Sequence, residues 1–194
     1  MIIGITGGTG CGKTTLLNVI AEKGGLILDC DAIYYQLLTR DNHLLDAIEA
    51  RFPGTVIDGQ LHRKKLGSIV FADANALLDL NAITHSAVKA EVLRMLPSTP
   101  SLIAIDAIGL FEGGLAEHCD ITVAVTAPEE ARIARLMARE GISREYAAKR
   151  IAAQQSNAHF ASLCDHTLEN NKEIDGFQAE CLAFFMEKAI IEEN

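Results

Sequence analysis

No stretch of this 194-residue sequence approaches the roughly 18 consecutive apolar residues that a membrane-crossing helix needs. The amino-terminal MIIGITGG has no basic leader region, and glycine breaks its apolar run within four residues, so neither a signal peptide nor an anchor is expected there. A basic surplus is also missing. The 26 acidic side chains outnumber the 17 basic ones for a formal charge of −9, which argues against non-specific affinity for nucleic acid or an anionic membrane. CxxC pairs are absent, and five cysteines, at 11, 30, 119, 164 and 181, cannot all pair with one another. A reduced, cytoplasmic chain is the expectation. Tryptophan is lacking, aromatics amount to 5%, and there is no internal repeat or low-complexity segment. What is present is 49% apolar and 22% charged residues, the balance of a globular protein. At this length folding buries roughly 70% of the extended chain's surface, so no disulfide or metal staple is required.

The order of elements points to a parallel sheet. A β-branched apolar run at 2–6 meets a glycine cluster, which predicts a buried strand entering a tight loop. Helical spacing follows at 13–23, a second short strand at 26–28 ends on Asp29, and helical patterns continue to about Arg51. Strand, helix, strand in that order implies parallel pairing. Between 52 and 96 the pattern becomes mostly helical, with an Asp58-Gly59 turn and helices at 63–71 and 75–95, and reads as an insertion on the sheet's edge that Pro97 and Pro100 end. Further strands are expected at 102–105, closing on Asp106, at 121–125, and weakly at 166–168. Thr126-Ala-Pro-Glu129 has the form of a helix start with Thr126 as cap; Gly141 stops that helix, Ser143 starts one running to about Asn157, and a last helix spans about 174–191.

Residues 7–14, GGTGCGKT, satisfy GxxxxGK[ST] at every fixed position, directly after a predicted strand and before a predicted helix. The glycines let backbone N–H groups converge on an anionic oxygen cluster, and the helix adds its positive end. The expected guest is a phosphate, cradled by Gly8, Thr9, Gly10, Cys11 and Gly12. Lys13 is expected to reach the terminal phosphates and the Thr14 hydroxyl to ligate Mg²⁺, with Thr15 as a helper or packing residue. A dinucleotide fingerprint fails on spacing, because its third glycine would fall on Lys13. Cys11 is expected at the lip of the loop, near a helix N-terminus that favours thiolate, but a spacer role is preferred because no partner nucleophile accompanies it.

A GTPase would show NKxD, but the one candidate, Asn171-Lys172-Glu173-Ile174, has Ile where Asp is required. Motors are generally larger and carry further motifs, so small kinases remain. A kinase acting on a hydroxyl needs a carboxylate beside it. Asp29-Cys30-Asp31 places two carboxylates on one side if the chain stays extended; Asp31 alone reads equally as the cap of a helix beginning at Ala32. Asp106 has a similar choice between assisting Mg²⁺ and ending a strand. Arg132, Arg135, Arg139, Arg144, Lys149 and Arg150 put six of the 17 basic residues within nineteen positions. Paired with Glu129, Glu130, Glu140 and Glu145 they form a solvated helical surface; as a mobile group they form a lid over ATP.

These residues resemble one family along nearly the whole chain, dephospho-coenzyme A kinase. The resemblance rests on TGG-x-G-x-GKT at 6–14, the pair Asp29 and Asp31, G-x-L-x-R at 59–63, Val70-Phe71, L-N-x-I-x-H at 80–85, L-F-E at 110–112, the stretch 139–154 ending R-I-A-A-Q, and Asn170-Asn171. It implies an α/β P-loop kinase fold with a five-stranded parallel sheet flanked by helices, and transfer of the γ-phosphoryl of ATP to the ribose 3′-hydroxyl of dephospho-CoA, with Mg²⁺. Asp31 would serve at the hydroxyl, with Asp29 beside substrate or metal, and Arg63 and His85 on the acceptor side. Arg139 and Arg150 would belong to the lid, and Asn170 would lie near adenine. The implied division is a core at about 1–51, 97–138 and 157–194, a CoA-side insertion at about 52–96 and a lid at about 139–156. Ser86 stands where the family usually has Pro, and Ile108-Gly109 where it usually has Pro-Leu, both expected near the acceptor.

Overall fold

The structure is a computed structural model that describes residues 1–40, 42–99, 101–171, 173–188 and 190. Pro100, Lys172 and Ile191, used above as a breaker, part of a failed signature and a helix end, lie outside these residues. The described chain forms two compact units, one of residues 1–28, 99–111 and 115–194, the other of residues 29–98 and 112–114.

The first unit is built on the five-stranded parallel sheet, in the order β2 (Leu26–Asp29), β5 (Ile103–Asp106), β1 (Ile2–Thr6), β6 (Ile121–Thr126), β7 (His166–Glu169). The central strand β1 pairs in parallel with β5, Ile3 opposite Ala104, and with β6, Ile5 opposite Val123. Its position between two neighbours explains why its sequence does not alternate between apolar and polar residues, since a strand buried on both faces has no polar side to show. Ile3, Ile5, Val123 and Val125 pack with Leu16, Val19 and Ile20 of α1 (Lys13–Glu22) and with Phe177, Cys181 and Phe185 of α9 (Ile174–Glu187). Full burial of such side chains contributes roughly 1.5–3 kcal/mol each. Gly4 lets Leu110 and Cys119 close on β1: a Cβ there would lie 2.8 Å from both side chains.

The helix after β6 does not start as expected. Thr126 is the last residue of that strand, paired with Glu169 of β7 and buried, so its side chain belongs to the sheet. Pro128 occupies the cap position of α6 (Glu129–Glu140), and no side-chain hydrogen bond caps it. Gly141 ends α6 in the left-handed conformation, φ 66°, which its missing Cβ permits. Ser143 caps α7 (Arg144–Ala152), its hydroxyl accepting the Tyr146 N–H, but the helical run breaks and restarts at Ser156, the cap of α8 (Asn157–Leu163). Ile133 and Leu136 of α6 bury Ala147 and Ile151 of α7 between them in a small core of their own.

The second unit is helical: α2 (Cys30–Arg40), α3 (Asn42–Arg51), α4 (Arg63–Val70) and the long α5 (Ala74–Met95). It begins at Asp29, whereas the sequence placed an insertion at about 52–96, because α2 and α3 pack on α5. Asp58 and Gly59, at φ 51° and 73°, make the tight turn of a small hairpin, β3 (Val56–Ile57) with β4 (Gln60–Leu61), where only helices and a turn were expected. Glu49 closes the base of this hairpin by accepting the N–H groups of Gly54 and, at 2.7 Å, Val56.

Candidate active site

The phosphate loop runs from the end of the central strand to α1. Gly12 caps α1 at φ 102°, with no side-chain cap and no acid in the first turn, so the positive end of the helix is left to an external anion. The glycines are required by what closes on them. A Cβ on Gly7 would stand 2.2 Å from the Val125 carbonyl, one on Gly8 2.3 Å from an Arg132 nitrogen, and one on Gly12 2.1 Å from Asn170 Nδ2. The loop is drawn against β6, α6 and the turn after β7.

Several loop groups are already engaged within the protein. The Thr9 N–H donates to Gln154 Oε1 at 2.8 Å and the Cys11 N–H to the Gly8 carbonyl at 3.3 Å, so these two amides are walls of the cradle more than its donors. Lys13 Nζ rests on the Gly7 carbonyl at 2.9 Å, a neutral acceptor that phosphate oxygens outrank as partners of an ammonium. Thr14 is exposed on the first turn of α1 and Thr15 half-buried, its N–H bonded to the Gly12 carbonyl. Cys11 is 1% exposed and part of the apolar core, not at the lip, because its side chain turns toward the sheet's packing layer.

The arginine cluster divides into two groups. Arg132 is buried at 3% exposure and Arg135 half-buried; both aim at the loop. Arg135 reaches the Gly10 carbonyl at 3.2 Å and Asn170 Oδ1 at 2.9 Å. Asn170, buried, donates to the Cys11 carbonyl at 3.0 Å, so its side chain braces the loop. Neither arginine is part of a solvated surface or a free lid. Arg139 and Arg150 both pair with Glu140, and these bonds, the one from Arg139 foremost, hold the Glu140 carboxyl below the usual carboxylate range. The sequence reading missed Arg132, Arg135 and Gln154 as loop contacts; the R-I-A-A-Q stretch was the signal present for Gln154.

In the helical unit Asp29 caps α2 by accepting the Ala32 N–H at 3.0 Å. The capping role considered for Asp31 thus belongs to Asp29, because the helix begins at Cys30 and places Asp31, exposed, within its first turn. The pair does not lie on an extended segment. Arg63 stacks over the Tyr35 ring at 4.8 Å and, with the 58–61 turn, lines an open cavity of about 550 Å³. Beside it, burial raises the Tyr34 hydroxyl above its ordinary pKa despite the nearby Arg63 charge. A second cavity, of about 690 Å³ and lined chiefly by α2, α3 and α5, includes Leu37, Leu44, Ile83, Ser86 and Arg94. Ser86 and Arg63 therefore line different cavities, and His85 is half-buried on α5. Ile108 lies in the sheet unit, its carbonyl accepting the Thr6 hydroxyl at 3.0 Å.

A family model described as CoaE: Dephospho-CoA kinase matches residues 1–176. The chain belongs to the dephospho-CoA kinase family. A dephospho-CoA kinase of Latilactobacillus sakei is 34% identical over 183 residues, covering 92% of this chain and 91% of that protein. A solved structure of TT1252 from Thermus thermophilus aligns with TM-score 0.78 and 32% identity over 96% of this chain and 97% of that one. Shikimate kinase from Acinetobacter baumannii shares the fold at 16% identity, TM-score 0.54, covering 96% and 93% of the two chains. The P-loop kinase fold expected from the sequence is the fold of this dephospho-CoA kinase family member.

The residues present suit Mg²⁺. Among the described residues no group of three or more His, Cys, Asp or Glu is placed to hold a metal. Mg²⁺ needs no such cage, since substrate phosphates and water supply most of its ligands, and the exposed Thr14 hydroxyl, directly after Lys13, is the oxygen that a phosphate loop contributes.

Proposed function

We propose that this chain transfers the γ-phosphoryl group of ATP to the ribose 3′-hydroxyl of dephospho-CoA, the last step of coenzyme A synthesis, in the cytoplasm. The observation that carries the reading is the GKT loop at the end of the central strand, with a left-handed glycine at the cap of α1 and no side chain closing that helix end. Family membership supplies the acceptor.

In this reading Gly8, Gly10, Gly12, Lys13, Thr14 and Thr15 take the phosphates of ATP. Thr9 and Cys11 shape the loop, and Asn170 braces it. Thr14 would hold Mg²⁺, which would neutralise charge on the transferring group. Lys13 moves from the Gly7 carbonyl to the phosphates. Arg139 and Arg150 leave Glu140 to compensate charge that develops as the phosphoryl group transfers, which makes 139–156 the lid. Asp31 orients the acceptor hydroxyl and takes its proton; Asp29 holds the start of α2, on which Asp31 sits. Arg63 and His85 belong to the acceptor side, within the helical unit.

The test is ADP release with ATP and Mg²⁺ against dephospho-CoA and a panel of nucleosides, nucleotides and shikimate, with products identified by mass spectrometry. Formation of CoA is the expected outcome. Turnover only with another acceptor would overturn the substrate and keep the phosphate-loop reading; ATP binding without any turnover would overturn the transfer reaction.

A further inference from the structure

Arg132 sits on a helix whose other exposed charges face water, yet it is 3% exposed. A guanidinium is withdrawn from water to that extent only when its N–H donors find acceptors. Arg132 Nε donates to the Thr9 carbonyl at 2.9 Å, Nη2 to Gln154 Oε1 at 3.2 Å, and Nη1 reaches Asn157 Oδ1 at 3.5 Å. Gln154 Oε1 also accepts the Thr9 N–H, at 2.8 Å. Both backbone groups of Thr9 are therefore held, one by each side chain. Asn157 is itself fixed, its Nδ2 donating to the Ala127 carbonyl at 2.7 Å just after β6. The neighbouring glycines make room: a Cβ on Gly8 would collide with the guanidinium and stand 3.2 Å from Gln154 Oε1, and one on Gly10 would stand 2.9 Å from the Arg132 carbonyl.

The three acceptors of Arg132 are neutral oxygens, so the guanidinium keeps its positive charge beside a loop that receives a polyanion. Gln154 follows α7, the helix that carries Arg150, so the same contact ties the end of that segment to the tip of the loop.

We propose that Arg132 and Gln154 are positioning residues for the phosphoryl donor: a buried clasp that holds Thr9 by its carbonyl and its N–H, sets the loop in its ATP-receiving shape before ATP arrives, and so determines ATP affinity. The proposal rests on the kinase reading above. Neither residue touches the reacting atoms; both act through the Thr9 backbone.

Steady-state kinetics on the full chain test it. Arg132→Met and Gln154→Met should each raise KM for ATP about tenfold, the scale of a buried polar group losing its partner, and leave KM for dephospho-CoA within about twofold. Arg132→Lys should not restore ATP affinity, because one ammonium cannot serve the Thr9 carbonyl and Gln154 in the geometry of a planar fork. The double variant should be no worse than the poorer single, since either change alone opens the clasp. Because Arg132→Met risks misfolding, amide hydrogen exchange at Thr9 supplies a second readout. The amide should be protected in unliganded wild type, and exchange about tenfold faster in folded Gln154→Met. Folded, active variants with wild-type KM for ATP, or a Thr9 amide exchanging at the rate of a free peptide in wild type, would overturn the clasp with the kinase reading intact. A wild-type protein that makes no CoA would instead overturn the reading beneath it, while the Thr9 exchange rate would still report whether the contact exists.

Discussion

The junction from β1 to α1 and the junction from β2 to α2 are both passages from strand to helix, built on opposite plans. The first inserts a glycine-rich loop, leaves the helix end without a side-chain cap, and braces the loop from outside through Arg132, Arg135, Gln154 and Asn170. The second has no loop: β2 ends at Asp29, α2 begins at Cys30, and the Asp29 carboxylate closes the helix end on itself. An unoccupied helix N-terminus binds anions, whereas one satisfied by its own carboxylate repels them. Chemistry follows from that difference. The first junction is shaped to receive phosphate, and the second to display a carboxylate, Asp31, on a helix whose start is already secured.

The sharpest way to break the comparison is to remove that displayed carboxylate. Asp31→Asn should lower kcat by about 10² to 10⁴ and leave ATP binding nearly unchanged; wild-type turnover in the variant would remove Asp31 from the reaction. Next in size is Gly12→Ala. It places a Cβ at a φ of 102° and 2.1 Å from Asn170 Nδ2, so denaturant unfolding should show a loss of about 1–3 kcal/mol together with weakened ATP binding. Equal stability would mean that the loop has room that its contacts deny. Asp29→Ala should destabilise by about 0.5–2 kcal/mol, while Asp29→Asn, which keeps a capping oxygen, should be nearly neutral in stability and active. A collapse of activity in Asp29→Asn would show that Asp29 acts on substrate or metal as well as on the helix.

The smallest expected effect concerns acid, and it compares one carboxylate in each unit. Asp165 accepts the hydroxyl and N–H of Thr122, which hold its carboxyl below the ordinary value; Glu49 is held low by the N–H groups of Gly54 and Val56. A carboxyl whose pKa is lowered by folding stabilises the fold fully above its unfolded value, and that contribution is lost as pH falls through the folded one. Acid unfolding below about pH 4 should therefore become less steep in both Asp165→Asn and Glu49→Gln. A slope unchanged in either would remove that contact from the acid response.

The arginines show most clearly why part of the site escaped the sequence. Spaced at i, i+3 and i+7 among glutamates, Arg132, Arg135 and Arg139 fit a solvated face as well as a lid, and nothing local separates them. Arg139 and Arg150 do pair with Glu140, whereas Arg132 finds its partner 123 positions earlier in the chain, at Thr9. Cys11 shows the same limit in reverse: its neighbours placed it at the lip of the loop, and packing buried it. Thr126 was legible as a cap only until β6 was seen to continue through it.

By itself the sequence determined the central strand, the phosphate loop, the parallel sheet and the family, because each depends on local spacing: a run rich in β-branched residues for a strand buried on both faces, and glycines where a backbone must turn through left-handed angles. Tertiary structure alone decided which carboxylate caps α2, where the helical unit begins, and which arginines are withdrawn from water to hold the loop. Those outcomes depend on groups brought together from distant parts of the chain, and a charged side chain carries no local mark of the partner that will bury it.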